Sequence, residues 1–170
     1  MAKSATVLKP KAHESRLNTG LSKEYRAEMA ESLSEILGAT YQLTIKSHIY
    51  HWNVVGPLFR SLHLLTEEHY GELFEAADTI AERIRAIGFL APEKMREVTT
   101  FVPDAGNIAT LSAEDMIKDL INDHEAAVRA MREAGEKAGD AGDLVTEDML
   151  TARLTFHEKA LWMLRAIIGE

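Results

Sequence analysis

The chain has no cysteine, and aromatic residues make up only 6% of its 170 positions. Without thiols it has no disulfides, no thiolate zinc or iron–sulfur ligands and no thiol nucleophile, and this usage suits a reducing compartment. No apolar run approaches the roughly 20 residues of a membrane span. The opening MAKSATVLKP lacks the hydrophobic core of a secretory leader. These absences predict a cytoplasmic protein with no membrane partner. Strand signals are equally scarce, because aromatics are few and turn residues lie far apart.

What is present is charge, unevenly spread. The formal net charge is −8. Residues 1–26 nevertheless carry Lys3, Lys9, Lys11, Arg16, Lys23 and Arg26 against only Glu14 and Glu24, so the body is more acidic than the total suggests. Residues 1–21 read as a basic, mobile tail, either a solubilising terminus or one with its own partner. Residues 22–170 read as one domain, large enough to bury a core.

Helical periodicity runs through that domain. Helix A is expected from the cap Ser22 through Met29, Leu33, Ile36, Leu37, Leu43 and Tyr50, and Gly56–Pro57 stops it. Helix B follows from about Phe59 to Ile87 and ends at Gly88. Residues 89–111 form a long irregular link, in which APEKMREV is expected to add a short helix. Ser112 with Asp115 gives a capping box for helix C, whose stripe is Met116, Leu120, Ile121, His124, Val128 and Met131. Helix D spans about Leu144 to Ile168, with Leu150, Leu154, Leu161, Leu164 and Ile168 inward. Four long helices with two short turns and one long B–C crossover describe an all-α, ferritin-like four-helix bundle.

Helix B carries the chemistry. Carboxylate and imidazole together suit iron, manganese or zinc. No histidine has Glu three positions before it, so the di-iron design built within one bundle is absent. At 100° per residue, His63, Glu67, Asp78 and Glu82 fall at about 0°, 40°, 60° and 100° and share a face. Yet His63 and Asp78 are separated by roughly 22 Å along the axis at 1.5 Å per residue. An antiparallel copy of the same helix removes the difficulty. His63 with Glu82, and Glu67 with Asp78, are symmetric about the point between Glu72 and Leu73. A twofold there brings both pairs together twice per dimer. Gly71, Ala76 and Ala77 allow close approach, and His51 completes each site from the chain that gives His63. His48, His69, Glu68 and Glu75 are read as supporting, surface or cavity-lining groups.

The segments HWNVVGPLFRSLH and DTIAERIRAIG, at this separation, resemble the Dps family of DNA-binding proteins from starved cells, the miniferritins of the ferritin superfamily. The helix lengths and the long crossover extend the likeness over nearly the whole chain. The resemblance implies a hollow homododecamer with a dinuclear ferroxidase site at each dimer twofold. Its ligands would be His51, His63 and Glu67 from one chain with Asp78 and Glu82 from the other; position 67 is commonly Asp in the family. It implies an oxidoreductase that oxidises Fe(II), with hydrogen peroxide preferred to dioxygen. Up to two irons would occupy each site, with zinc as a competitor, and ferric mineral would be stored so that DNA is spared oxidative damage. Trp52 is then either an electron source or a packed aromatic beside the site. Asp143 and Asp148, with Asp140, would line an acidic threefold pore, or they serve only as helix-dipole partners. Glu68 and Glu75 are candidates to nucleate mineral.

The family name also implies DNA. Against an acidic shell, only Lys3, Lys9, Lys11 and Arg16 are placed to reach phosphates, so weak, sequence-independent, salt-sensitive binding is expected, with a possible nucleoid association. The main alternative is a nucleoid-packing protein with little ferroxidase activity. A generic helical interaction module is a third reading. A haem-binding relative, using Met29, Met95, Met116, Met131, Met149 or Met163 as axial ligands, is a fourth, although Met on a helix stripe usually packs.

Overall fold

The computed structural model describes residues 11–94 and 107–170. Four helices carry them: α1 Lys23–Asn53, α2 Phe59–Ala86, α3 Ala113–Asp140 and α4 Leu144–Ile168, with a 3-10 turn at Ile108–Thr110 before α3. No strand occurs among the described residues. None of the described helices is long and apolar enough to cross a membrane.

The expected caps are in place. Ser22 accepts a hydrogen bond from Tyr25 N, and Ser112 and Asp115 form a reciprocal capping box. Such side chains satisfy amide groups that the first helical turn leaves unpaired. Within the expected short helix over APEKMREV, residues 91–94 are not helical; its remainder lies outside the described residues.

Cross-bundle contacts fix the topology. On α1, Tyr50 meets Asp119 while Gln42 meets Asp123, so α1 and α3 run antiparallel. On α2, Arg83 meets Thr146 and Asp143, while Glu72 meets Arg153 of α4. The tight turn after α1 makes α2 antiparallel to it. It follows that α2 and α3 are parallel, which a long crossover permits and a short turn would not.

The core lies between the four stripes. Leu33, Leu62, Leu73, Ile80, Ile84, Ile117, Leu120, Met131, Leu150 and Leu164 are fully buried. Val128, Leu154 and Ile168 from the expected stripes pack at the margin. One glycine is dictated by contact: Gly88, at φ +101°, would place a Cβ 2.9 Å from both Arg26 Nη1 and Ser15 O. There the segment before α1 is tied down, with Ser15 N donating to Gly88 O at 2.8 Å and Arg85 Nη2 to His13 O at 3.3 Å.

Candidate metal centre

The α1–α2 hairpin brings the last turn of one helix beside the first turn of the next, so His51 meets His63. The two rings stack with centroids 3.8 Å apart and planes 15° from parallel. His51 Nδ1 lies 2.8 Å from His63 O, and His63 Nδ1 lies 2.9 Å from His51 O. A carbonyl oxygen can only accept, so each Nδ1 is the donor. That pair of bonds fixes both ring orientations and leaves both Nε2 atoms for another partner. Outer hydrogen bonds of this kind are what orient metal-ligating histidines.

More rings continue the stack. Phe59 backs His63 at 5.0 Å, and Tyr70 meets His51 in a T-shaped contact at 5.4 Å. His48 lies on Tyr70 at 3.8 Å and stacks on Trp52 at 5.0 Å. Burial, and then the neighbouring His51, hold His48 below its ordinary pKa. Trp52 is 67% exposed, so within one chain it is not a packed core aromatic.

Glu67 lies one turn beyond His63 and is exposed, as are Asp78 and Glu82 further along α2. The chain therefore brings His51 and His63 together but leaves Asp78 and Glu82 far along the same helix. Among the described residues, no group of three or more His, Asp or Glu side chains of one chain is close enough to hold an ion. The same face of α2 carries Phe74, 64% exposed, and Gly71, where no other described residue across the fold lies within 4 Å of the position a Cβ would take.

The acidic residues around the start of α4 behave differently from one another. Asp140 and Asp148 are exposed, but Asp143 is buried and its carboxylate is committed inside the chain. It caps α4 through Thr146 N and accepts from Thr146 Oγ1, from Tyr25 at 2.9 Å and from Arg83 at 2.6 Å. Burial alone would raise its pKa; the hydrogen bonds from Thr146, Arg83 and Tyr25 outweigh it and hold the carboxyl below the usual range. The expectation that Asp143 lines a pore is accordingly corrected: it is a helix cap and bundle clasp. Lys3 and Lys9 lie outside the described residues, whereas Lys11 and Arg16 are exposed on the segment tethered to Gly88. Glu68 and Glu75 are exposed on α2.

Sequence reasoning placed His69 among surface or supporting groups, and the structure moves it into the core. His69, His124 and His157, from three helices, are buried together beside Phe156. His124 Nδ1 and His157 Nδ1 are 2.8 Å apart. Burial is the main cause that lowers all three, His69 to about 4 and His157 to about 3. Arg153, which bonds Glu72 and lies over Phe156, adds its charge against His124 and His157. Tyr70 was also missed, because its contact with His51 depends on the hairpin register rather than on any local pattern.

Comparison with known proteins matches this architecture. A family model for the ferritin-like domain covers residues 30–170. The chain is 41% identical, over 90% of its own length and 87% of the relative's, to an uncharacterized low temperature-induced protein of Nostoc sp.. It is 33% identical to DNA protection during starvation protein 2 of Bacillus anthracis, over 84% of this chain and 98% of that one. The crystal structure of a Dps protein from Bacillus brevis superposes with a TM-score of 0.79 at 32% identity, covering 87% of this chain and 99% of that one. With two stacked histidines on a four-helix bundle, an acidic helix face beside them and matches along nearly its whole length, the chain belongs to the Dps branch of the ferritin-like family.

Proposed function

We propose that the protein oxidises Fe(II), with hydrogen peroxide preferred over dioxygen, at a dinuclear site shared by two copies, and stores the ferric product in a hollow dodecamer. The observation that carries this reading is the His51–His63 pair, whose fixed Nδ1 atoms leave two Nε2 ligands beside an acidic helix face. Half a site is present in each chain, and α2 offers the other half to a second copy.

An antiparallel pairing of α2 with its copy, centred between Glu72 and Leu73, sets His63 and Glu67 opposite the partner's Glu82 and the partner's Asp78. The same symmetry lays Phe74 over the partner's Gly71. That gives a reason for an aromatic ring left 64% exposed and for a helical glycine that no contact among the described residues requires. An isologous interface of this kind repeats the site twice. His51, His63 and Glu67 from one chain, with Asp78 and Glu82 from the other, supply imidazole and hard carboxylate oxygen for up to two irons, and the same donors would accept zinc as a competitor. Glu67 in place of the commoner Asp lengthens the reach by one methylene.

The chemistry then balances without a free radical. Two ferrous ions each give one electron, the peroxide O–O bond breaks, and two protons complete two waters. Carboxylates favour this direction because they stabilise the ferric charge. DNA is spared because iron and peroxide are consumed together. Asp148, with Asp140, is the acidic group left to guide iron inward once Asp143 is set aside.

Mixing subunits tests the shared site. Chains carrying His63→Ala keep Asp78 and Glu82, and chains carrying Asp78→Ala with Glu82→Ala keep His63. Each variant alone should be inactive. Co-assembled in equal amounts they should regain about a quarter of wild-type peroxide-driven iron oxidation, since half of random dimers are mixed and each holds one intact site. No recovery in mixed assemblies of verified composition would refute it.

Direct DNA contact enters only as a weaker component. Lys11 and Arg16 are exposed, but Ser15 between them is bonded to Gly88, which shortens the reach of the basic segment. Deleting residues 2–16 should weaken DNA co-migration at low salt, and an unchanged mobility shift would remove DNA from the reading.

A further inference from the structure

Six rings form an unbroken ladder at the hairpin: Phe59, His63, His51, Tyr70, His48 and Trp52. No step between neighbouring ring centroids exceeds 5.4 Å. Only two of these rings, the phenol and the indole, are readily oxidised. Trp52 follows His51 directly in sequence, yet its ring stacks on His48 and is largely exposed. Tyr70 is the oxidisable ring that touches His51 itself, edge-on at an interplanar angle of 84°. It comes from α2, one helix away, and is half-buried.

We infer that Tyr70 is the one-electron donor of the site, acting through the His51 ring when a lone ferrous ion meets peroxide. This rests on the ferroxidase reading and adds to it what happens when the second iron is missing. A single Fe(II) gives one electron to peroxide, the O–O bond breaks, and hydroxide and a hydroxyl-level oxidant result. Tyr70 supplies the second electron: the oxidant becomes hydroxide, the phenolic proton passes to water and a phenoxyl radical remains on Tyr70. The damaging equivalent is thus held on a ring inside the hairpin. His48 also lies against that ring and stacks on Trp52, so along the ladder Trp52 is a step further from His51 and is not the first donor.

The test is rapid freeze-quench electron paramagnetic resonance on the full, assembled protein, given Fe(II) at less than one ion per site and then peroxide. A tyrosyl signal is expected that narrows with ring-deuterated tyrosine, disappears in Tyr70→Phe and persists in Tyr41→Phe and Trp52→Phe. Phenylalanine keeps the ring contacts, and thermal unfolding of the variant should match the wild type. Spin-trapped hydroxyl adduct should rise several-fold in Tyr70→Phe. A tryptophanyl signal lost in Trp52→Phe, a tyrosyl signal that survives Tyr70→Phe, or no protein radical while iron is oxidised would each overturn the assignment to Tyr70 and leave the ferroxidase reading standing. Ferrous iron that stays unoxidised in the wild type would instead overturn the ferroxidase reading, and the role of Tyr70 with it.

Discussion

Two groups of histidines in this bundle differ in what the second ring nitrogen meets. At the hairpin, His51 and His63 each donate from Nδ1 to the other's carbonyl oxygen, and each Nε2 is left over on a half-buried ring. In the core, His124 and His157 share a hydrogen bond between their Nδ1 atoms, while their Nε2 atoms and His69 Nδ1 have no partner among the described residues. The first arrangement would offer ligand atoms at low cost, because it leaves no nitrogen of a fully buried ring unpaired. The second confines polar atoms in an apolar interior, where each unsatisfied group costs about 1–3 kcal/mol. One residue type is therefore suited to ligation at the hairpin and lowers stability inside.

The sharpest way to separate the two is to remove each in turn. His51→Ala with His63→Ala should slow peroxide-driven Fe(II) oxidation by at least roughly a hundredfold, since losing even an outer-shell partner of a metal ligand costs 10–100-fold. Stopped-flow absorbance reads the rate, and light scattering should still report an intact assembly. Full activity in this variant would end the ligand assignment.

The core cluster should reveal itself through pH. A histidine free in the unfolded chain titrates near 6.5, whereas His69 and His157 are held near 4 and near 3 in the fold. Below pH 6.5 the unfolded state therefore binds more protons than the folded one, and stability falls as pH drops. The loss should begin near pH 6.5 and continue through pH 4 towards 3. Each histidine that stays neutral while its unfolded counterpart is charged contributes about 1.4 kcal/mol for every pH unit crossed, so the total reaches a few kcal/mol. Urea unfolding at a series of pH values measures it. His124→Leu with His157→Leu should flatten the dependence, the smaller effect of the two, while a dependence unchanged in that variant would place the titrating groups elsewhere.

Much of this was legible in the sequence, and the reason is local. Ser22, the Ser112–Asp115 box and Gly88 mark helix ends through bonds to residues a few positions away, so each end could be read from a short segment. The face shared by His63, Glu67, Asp78 and Glu82 follows from a fixed rotation per residue along one helix. What escaped depends on which helix lies against which. Asp143 looks like an ordinary cap or pore acid until Arg83 and Tyr25 arrive from two other helices. His69, His124 and His157 are distant in the chain, and only the bundle makes them neighbours. Tyr70 meets His51 because the hairpin closes in one register, which no periodicity encodes.

The reciprocal His51–His63 bonds also bear on how such a container is loaded. In the proposed shared site they would organise one half of a coordination sphere ahead of time, and a second subunit would bring the other half. Cation uptake and subunit association would then be linked equilibria, each strengthening the other by the same factor. Scarce protein would hold its cargo weakly, and plentiful ferrous ion would act as a rivet drawing the halves together.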